Sequence, residues 1–190
     1  MKAFRDWHEV CVVSGLPRSG TSLMMNILNA MGEDVFFDDG RESDESNPGG
    51  YFESQLVKGI PKGEVEFLNK ISGWIKITAN YIPDICDSYK LKIIYMDRKL
   101  EEVAISQSKM IEDGIDDLQR QVDLLAEARE RAFYFLRSRL NVEFYTVRYD
   151  ELVANPLEVI ESLSAFVGSP KTRIGPAIEI VDKNLYRNKG

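Results

Sequence analysis

The chain has 190 residues, 24 of them basic and 31 acidic, for a formal net charge of −7, with 44% hydrophobic and 29% charged residues. That length reads as one domain, residues 1–190, able to bury about two-thirds of its unfolded surface, and the composition is that of an ordinary soluble globular protein. The acidic balance excludes a general binder of nucleic acid or of anionic membrane, so an anionic ligand needs a local positive pocket.

The N-terminal MKAFRDWHEV has no apolar stretch of signal-peptide length, and no run approaches the about 20 apolar residues of a membrane span. The expectation is a cytoplasmic protein. Val10 to Ser14 is a short apolar run ending at Gly15, as in a buried parallel strand. A helix over 21–31 follows, with Leu23, Met24, Ile27, Leu28 and Met31 at helical spacing. Residues 38–50, DDGRESDESNPGG, are acidic and rich in Ser, Gly and Asn, which predicts a surface loop. Helix interrupted at Pro61 is expected around 53–70, a strand over Trp74–Thr78 and a helix over about 80–89. Leu91 to Asp97, LKIIYMD, is the clearest buried strand.

Helices are expected from Leu100 to Leu140, broken near Gly114. In the second of them Leu118, Val122, Leu125, Ala132, Phe133, Leu136 and Leu140 form one stripe. Arg129 falls on that stripe too, either as a snorkelling side chain or as an inward cation near a ligand. Val142 to Val147 reads as a strand, and a helix over about 156–167 ends at Gly168, the residue that helix C-termini favour. The alternation implies an α/β fold with a mostly parallel sheet covered by helices on both faces. Cys11 and Cys86 lie in apolar segments without metal-ligand spacing and read as reduced core residues.

The chemistry concentrates after the first strand. Gly15-Leu16-Pro17-Arg18-Ser19-Gly20-Thr21-Ser22 has the spacing of a phosphate-binding P-loop, G-x-x-x-x-G-K-[ST], in the required strand–loop–helix context. Yet Thr21 stands where the lysine belongs, and Arg18 stands two residues before the second glycine. A loop feeding a helix N-terminus presents unpaired N–H groups and the positive end of the helix dipole. Ser19, Thr21 and Ser22 add hydroxyl donors, and Arg18 adds a planar fork. This suits a phosphate-like group but is poor for an NTPase, because the missing lysine normally neutralises the β and γ phosphates. The bland alternative is a strand-to-helix turn whose glycines serve only packing.

The segment GLPRSGTSLMMNIL resembles the 5′-phosphosulfate loop of the sulfotransferases that use 3′-phosphoadenosine 5′-phosphosulfate (PAPS). The resemblance implies a P-loop NTPase-like three-layer sandwich, PAPS as the sulfonyl donor, and no required metal. It assigns Pro17, Arg18, Ser19, Gly20, Thr21 and Ser22 to the 5′-phosphate and sulfonyl group. YMDRKLEEVAISQSKM is similar to the family's 3′-phosphate segment, with Arg98 at a strand end and Ser106 eight residues later on a helix. FYTVRYDELVANPLEVIESLSAFVG resembles the segment that closes the core of the family, which implies Tyr149 near the adenine. NPGGYFES, residues 47–54, resembles a segment of bacterial members related to the tyrosylprotein and carbohydrate enzymes. The C-terminal NLYRNKG is faintly like a basic tail that others fold over the nucleotide. The likeness spans roughly residues 10–168.

Arg18 is expected to act in catalysis as well, stabilising the bridging and phosphate oxygens, and by the same resemblance Lys76 in WIKIT contacts the sulfonyl group. The histidine that many small-molecule members carry two residues later is Thr78, and the single histidine, His8, has no motif around it. Relatives acting on protein tyrosine or sugars use a glutamate, which makes Glu53 the expected base, with Asp38, Asp39 and Glu42 as competitors. The acceptor is a small molecule, sugar or peptide, and the acidity of Asp38, Asp39, Glu42, Asp44 and Glu45 argues for a small or basic one. Two alternatives stand beside this reading: a P-loop nucleotide or small-molecule kinase with an altered loop, and a PAPS-binding protein without catalysis.

Overall fold

Short apolar runs rich in valine and isoleucine form the middle of one parallel sheet. The structure, a computed structural model, describes residues 7–38, 50–111 and 115–181. Its strands are β1 (Glu9–Gly15), β2 (Val35–Phe36), β3 (Trp74–Lys76), β4 (Lys90–Asp97) and β5 (Val142–Arg148). They lie in the order β2-β3-β1-β4-β5, and all four pairings are parallel.

Alternation along each strand divides the core in two. Val12, Ile75 and Ile93 face one layer with α2 (Ile82–Ile85), α3 (Leu100–Ser108) and α4 (Leu118–Ser138). Val13, Ile94 and Met96 face the other, packed on α1 (Thr21–Ala30), α5 (Tyr149–Ala154), α6 (Pro156–Val167) and α7 (Ile174–Glu179). Strands buried on both faces read as continuous apolar runs, which is why β1 and β4 are legible. The chain leaves β1 toward β3 and β2, then returns to the opposite side for β4 and β5. The carboxyl end of β1 therefore sits at the point where the strand order reverses, where open α/β sheets bind ligands.

Several expected elements differ. The strand at Trp74 stops at Lys76, although the Ile77 N–H still donates to Val13 O, because Thr78 opens a 3₁₀ turn over Ala79–Tyr81. The helix expected over 80–89 is that turn plus the four-residue α2. The helix expected over 53–70 is two 3₁₀ stretches, Gln55–Lys62 with Pro61 inside and Glu66–Lys70. The expected stripe is only partly buried, and α4 ends at Ser138, short of the expected Leu140. Leu125, Ala132 and Leu136 are buried and Val122 and Phe133 pack against the core, but Leu118, at the start of α4, is 36% exposed and Leu140, past its end, 94%. Sequence reading missed β2, α5 and α7, the first only two residues long and the others six each. Gly114 and residues 182–190, with the tail segment, lie outside the described residues. No described helix is long and apolar enough to cross a membrane.

Cys86 is buried and Cys11 half-buried, and neither is in a disulfide. Burial raises both thiols above the ordinary range. Nearby, Asn141 is 6% exposed at the foot of β5, and its amide donates to the carbonyls of Cys86 and Tyr89, tying the end of α2 to the start of β4. Removing both donors leaves carbonyls short of partners in a buried place. Asn141→Ala is therefore expected to lower the unfolding free energy by about 1–3 kcal/mol in urea titration. A loss below about 0.5 kcal/mol, the level of an ordinary surface change, would mean that these bonds do not hold the junction.

Candidate active site

The loop after β1 is shaped by what it must avoid. A Cβ at Gly15 would lie 2.6 Å from the Met96 carbonyl oxygen, and one at Gly20 would lie 2.5 Å from Cδ2 of Tyr149. Gly20 also has φ 102°, a conformation that favours glycine. The loop is thus pressed onto the ends of β4 and β5. Gly20 is the N-cap of α1 and offers no side-chain cap, so the first turn keeps donors open to an anion.

The loop's side chains divide. Ser19 is 1% exposed, its Oγ lies beside Gly15 without a hydrogen-bond partner, and its N–H is used by Leu16 O. It is turned beneath the loop and not onto its open side. Thr21 and Ser22 open α1 and are half-exposed. Ser22 Oγ donates to the Tyr51 carbonyl at 3.2 Å and receives Lys76 Nζ at 3.3 Å. Lys76, with its side chain 10% exposed, also donates to Tyr51 O and stands 3.5 Å from Glu53 Oε1. The pairing of β3 with β1 brings this lysine from a distant segment to the α1 N-terminus.

A second group gathers where β4 meets α3. Arg18 has φ 77°, rare for a residue with a side chain. Its Nε donates to Ser106 Oγ at 2.9 Å, and its carbonyl accepts from Arg98 Nη1 at 3.3 Å. Arg98 Nε pairs with Glu102 Oε2 at 2.9 Å, and its guanidinium lies 4.3 Å over the ring of Tyr149. Burial raises the Tyr149 hydroxyl above its ordinary range. Gln107 Nε2 donates to Pro17 O at 2.9 Å and its amide oxygen accepts from Gln121 of α4 at 2.7 Å. The structure therefore brings Arg18, Arg98, Ser106 and Tyr149 together, and Lys76, Ser22 and Glu53 beside them along the loop.

The competing acids separate on geometry. Asp38 accepts from Ser54 Oγ at 2.6 Å and from the Gln55 N–H at 3.0 Å, and the Ser54 bond is the main reason its carboxyl is held below the usual range. It is engaged in fastening the chain after Glu53. Asp39, Glu42, Asp44 and Glu45 lie outside the described residues. His8 is exposed, beside Tyr89. Arg129 reaches Asp97 Oδ1 at 3.8 Å, at the carboxyl end of β4.

Sequence reasoning missed Glu102, Gln107 and Tyr51. Glu102 had a signal, four residues after Arg98 on a helix, a spacing at which acid and base meet. Gln107 had none, since its role depends on the loop's approach.

A family model described as a sulfotransferase domain matches residues 9–189. No curated protein matches the sequence significantly. Among solved structures the chain is similar to sulfotransferase STF1 from Mycobacterium tuberculosis, with TM-score 0.58 and 14% identity over 91% of this chain and 71% of that one. It is similar to mouse sulfotransferase SULT7A1 complexed with PAP, with TM-score 0.58 and 15% identity over 96% and 66% of the two chains. It is also similar to the sulfotransferase domain of the curacin biosynthetic pathway, with TM-score 0.56 and 14% identity over 94% and 89%. At such identities these likenesses carry the fold alone. The family match spans all five strands and the loop between β1 and α1, and by it the chain belongs to the sulfotransferases, enzymes that transfer a sulfonyl group.

Proposed function

We propose that the sulfonyl donor is PAPS and that the acceptor is a hydroxyl or amine on a small molecule, sugar or peptide. One observation carries this reading: the P-loop stands directly against a second polar subsite, Arg98 and Ser106, reached through Arg18. A nucleoside with anionic groups on both its 5′ and 3′ positions fits such a pair of neighbouring subsites. When bound, PAPS supplies the sulfonyl group and leaves as adenosine 3′,5′-bisphosphate.

The open N–H groups of the α1 N-terminus, from Gly20 onward, with the hydroxyls of Thr21 and Ser22, bind the 5′-phosphate end. Pro17 and Ser19 shape that loop, Pro17 through its carbonyl bond to Gln107 and Ser19 from beneath. Lys76, held by Ser22 and Tyr51, places a positive charge beside the same end, where charge grows on the transferring and leaving oxygens. Arg98 and Ser106 bind the 3′-phosphate, and Tyr149 lies under Arg98 as the floor of the nucleotide site. Glu53 accepts the acceptor's proton. Its side chain is 42% exposed and 3.5 Å from Lys76, so it stands on the solvent side of the sulfonyl position, from which an acceptor enters.

Thermal shift tests the donor. Adenosine 3′,5′-bisphosphate is expected to stabilise the protein without magnesium, by about 2.7 kcal/mol at 100 times its dissociation constant, and AMP far less. Stabilisation by Mg-ATP and not by the bisphosphate would favour the kinase with an altered loop. Stabilisation without sulfonation of any acceptor would favour the binding protein.

Glu53→Gln tests the base. Turnover on a panel of phenols, sugars and tyrosine peptides with labelled PAPS is expected to fall about 10²–10⁴-fold. Affinity for the bisphosphate should stay nearly unchanged, because this carboxylate faces the acceptor. Full activity of the variant on any panel member would place the base elsewhere.

A further inference from the structure

The bond that ties the loop to α3 is made by an amide, and a second amide decides which way the first one points. Gln107 Nε2 donates to the Pro17 carbonyl at 2.9 Å, and Gln107 Oε1 accepts from Gln121 Nε2 at 2.7 Å. A carbonyl oxygen can only accept. Gln107 must therefore turn its NH2 group to the loop and its oxygen to α4, where that oxygen needs a donor. Gln121 supplies it. Both glutamines are half-buried, so water only partly compensates a misdirected amide.

Gln121 is itself held in place. It lies in the first turn of α4, capped by Asp117, whose carboxylate accepts from the Arg120 N–H at 2.8 Å. Leu125, one turn further on, is buried and seats the same face of the helix on the core. The connection from α3 is drawn back by the Ile115 N–H, which donates to Ser108 Oγ at 3.0 Å. α4 thus presents the Gln121 amide to α3 from a fixed backbone.

The relay ends on the Pro17–Arg18 peptide. That peptide is trans, so its carbonyl and its N–H point in opposite directions. With the Pro17 carbonyl drawn to α3, the Arg18 N–H faces the other side of the loop, where the α1 N-terminus keeps its donors open. Arg18 has φ 77°, and such a conformation persists only where the surroundings over-determine it. Gln107 does so from the Pro17 side, and Arg98 does so through the Arg18 carbonyl.

We infer that Gln121 is a positioning residue for the 5′-phosphate end of the nucleotide, acting through Gln107 on the Pro17–Arg18 peptide. The inference rests on the PAPS reading above and leaves the 3′-phosphate with Arg98 and Ser106. It makes affinity at the P-loop depend on an α4 side chain that is separated from the loop by another residue.

Calorimetric titration of the wild-type chain, Gln107→Met, Gln121→Met and the double variant with adenosine 3′,5′-bisphosphate, 5′-AMP and 3′-AMP tests this. Methionine keeps the length of glutamine, adds no charge and removes the amide. Loss of one neutral hydrogen bond corresponds to about 3- to 10-fold in affinity. Each single variant is expected to weaken the bisphosphate and 5′-AMP by that factor, and 3′-AMP by less than about twofold. Because the two amides act in series, the double variant should bind as Gln107→Met does, without the product of the two losses. The unfolding temperature of the free chains separates site from fold: a role confined to packing α4 on α3 would lower it and leave the affinities alone. Wild-type affinities in Gln121→Met, equal weakening of 3′-AMP, or additive losses in the double variant would overturn the inference while leaving the donor in place. A wild-type chain with no preference for the bisphosphate over 5′-AMP would overturn the donor reading, and this inference with it.

Discussion

The close approach of two glycines to their neighbours governs the site. Gly15 lies against the Met96 carbonyl and Gly20 against the ring of Tyr149, each with no room for a Cβ. Because both contacts are made at once, the loop between them cannot lift off the ends of β4 and β5. That fixes where α1 begins, and with it where the helix dipole points. It also fixes the distance from the loop to α3, close enough for Gln107 and Arg98 to take the Pro17 and Arg18 carbonyls. Turning those carbonyls toward α3 and β4 leaves the opposite side of the loop to its N–H groups. An anion site of this kind is built chiefly by the backbone, and side chains decide which anion it holds.

The parts legible in the sequence were those with a local cause. β1 and β4 are apolar because both faces of the sheet are covered, and α1 and α6 carry their periodicity and their glycine boundaries within a few residues. The loop was legible because glycine spacing reports a backbone constraint directly. The parts that were not legible depend on partners far away in the chain. β2 is two residues long and exists by pairing with β3. The exposure of the two ends of the α4 stripe, Leu118 and Leu140, depends on what packs beside them, which no stripe of leucines encodes. Arg129 had two readings in the sequence, and its partner, Asp97 at the end of β4, was not legible there.

The candidate site shows the same division. Arg98 and Ser106 were paired by the family resemblance, their spacing alone being a weak pattern, and only packing reveals that Arg98 also meets a carboxylate, Glu102, that is 1% exposed. In the sequence Glu53 was preferred over Asp38 only through relatives that use a glutamate. Hydrogen bonds from Ser54 and Gln55 separate them by committing Asp38 to the fold.

The absent P-loop lysine acquires a physical reading from the position of Lys76. A lysine in the loop rises from the same backbone that cradles the phosphate, and its charge falls on the terminal phosphates of a nucleoside triphosphate. Here the lysine comes from β3, reaches the N-terminus of α1 from the side, and is steadied by Ser22, Tyr51 and Glu53. A sulfonyl group carries less charge than a terminal phosphate, so on the proposed reading one lateral cation and the helix dipole suffice for it. The same lateral approach puts the carboxylate of Glu53 within 3.5 Å of that cation, on the side open to solvent. On the proposed reading, moving the lysine off the loop does two things together: it lowers the positive charge over the phosphates, and it joins the charge proposed to steady the leaving oxygens to the group proposed to take the acceptor's proton. It also frees the loop to carry an arginine whose guanidinium lies on the opposite flank, at Ser106, where the second phosphate of the proposed donor would bind.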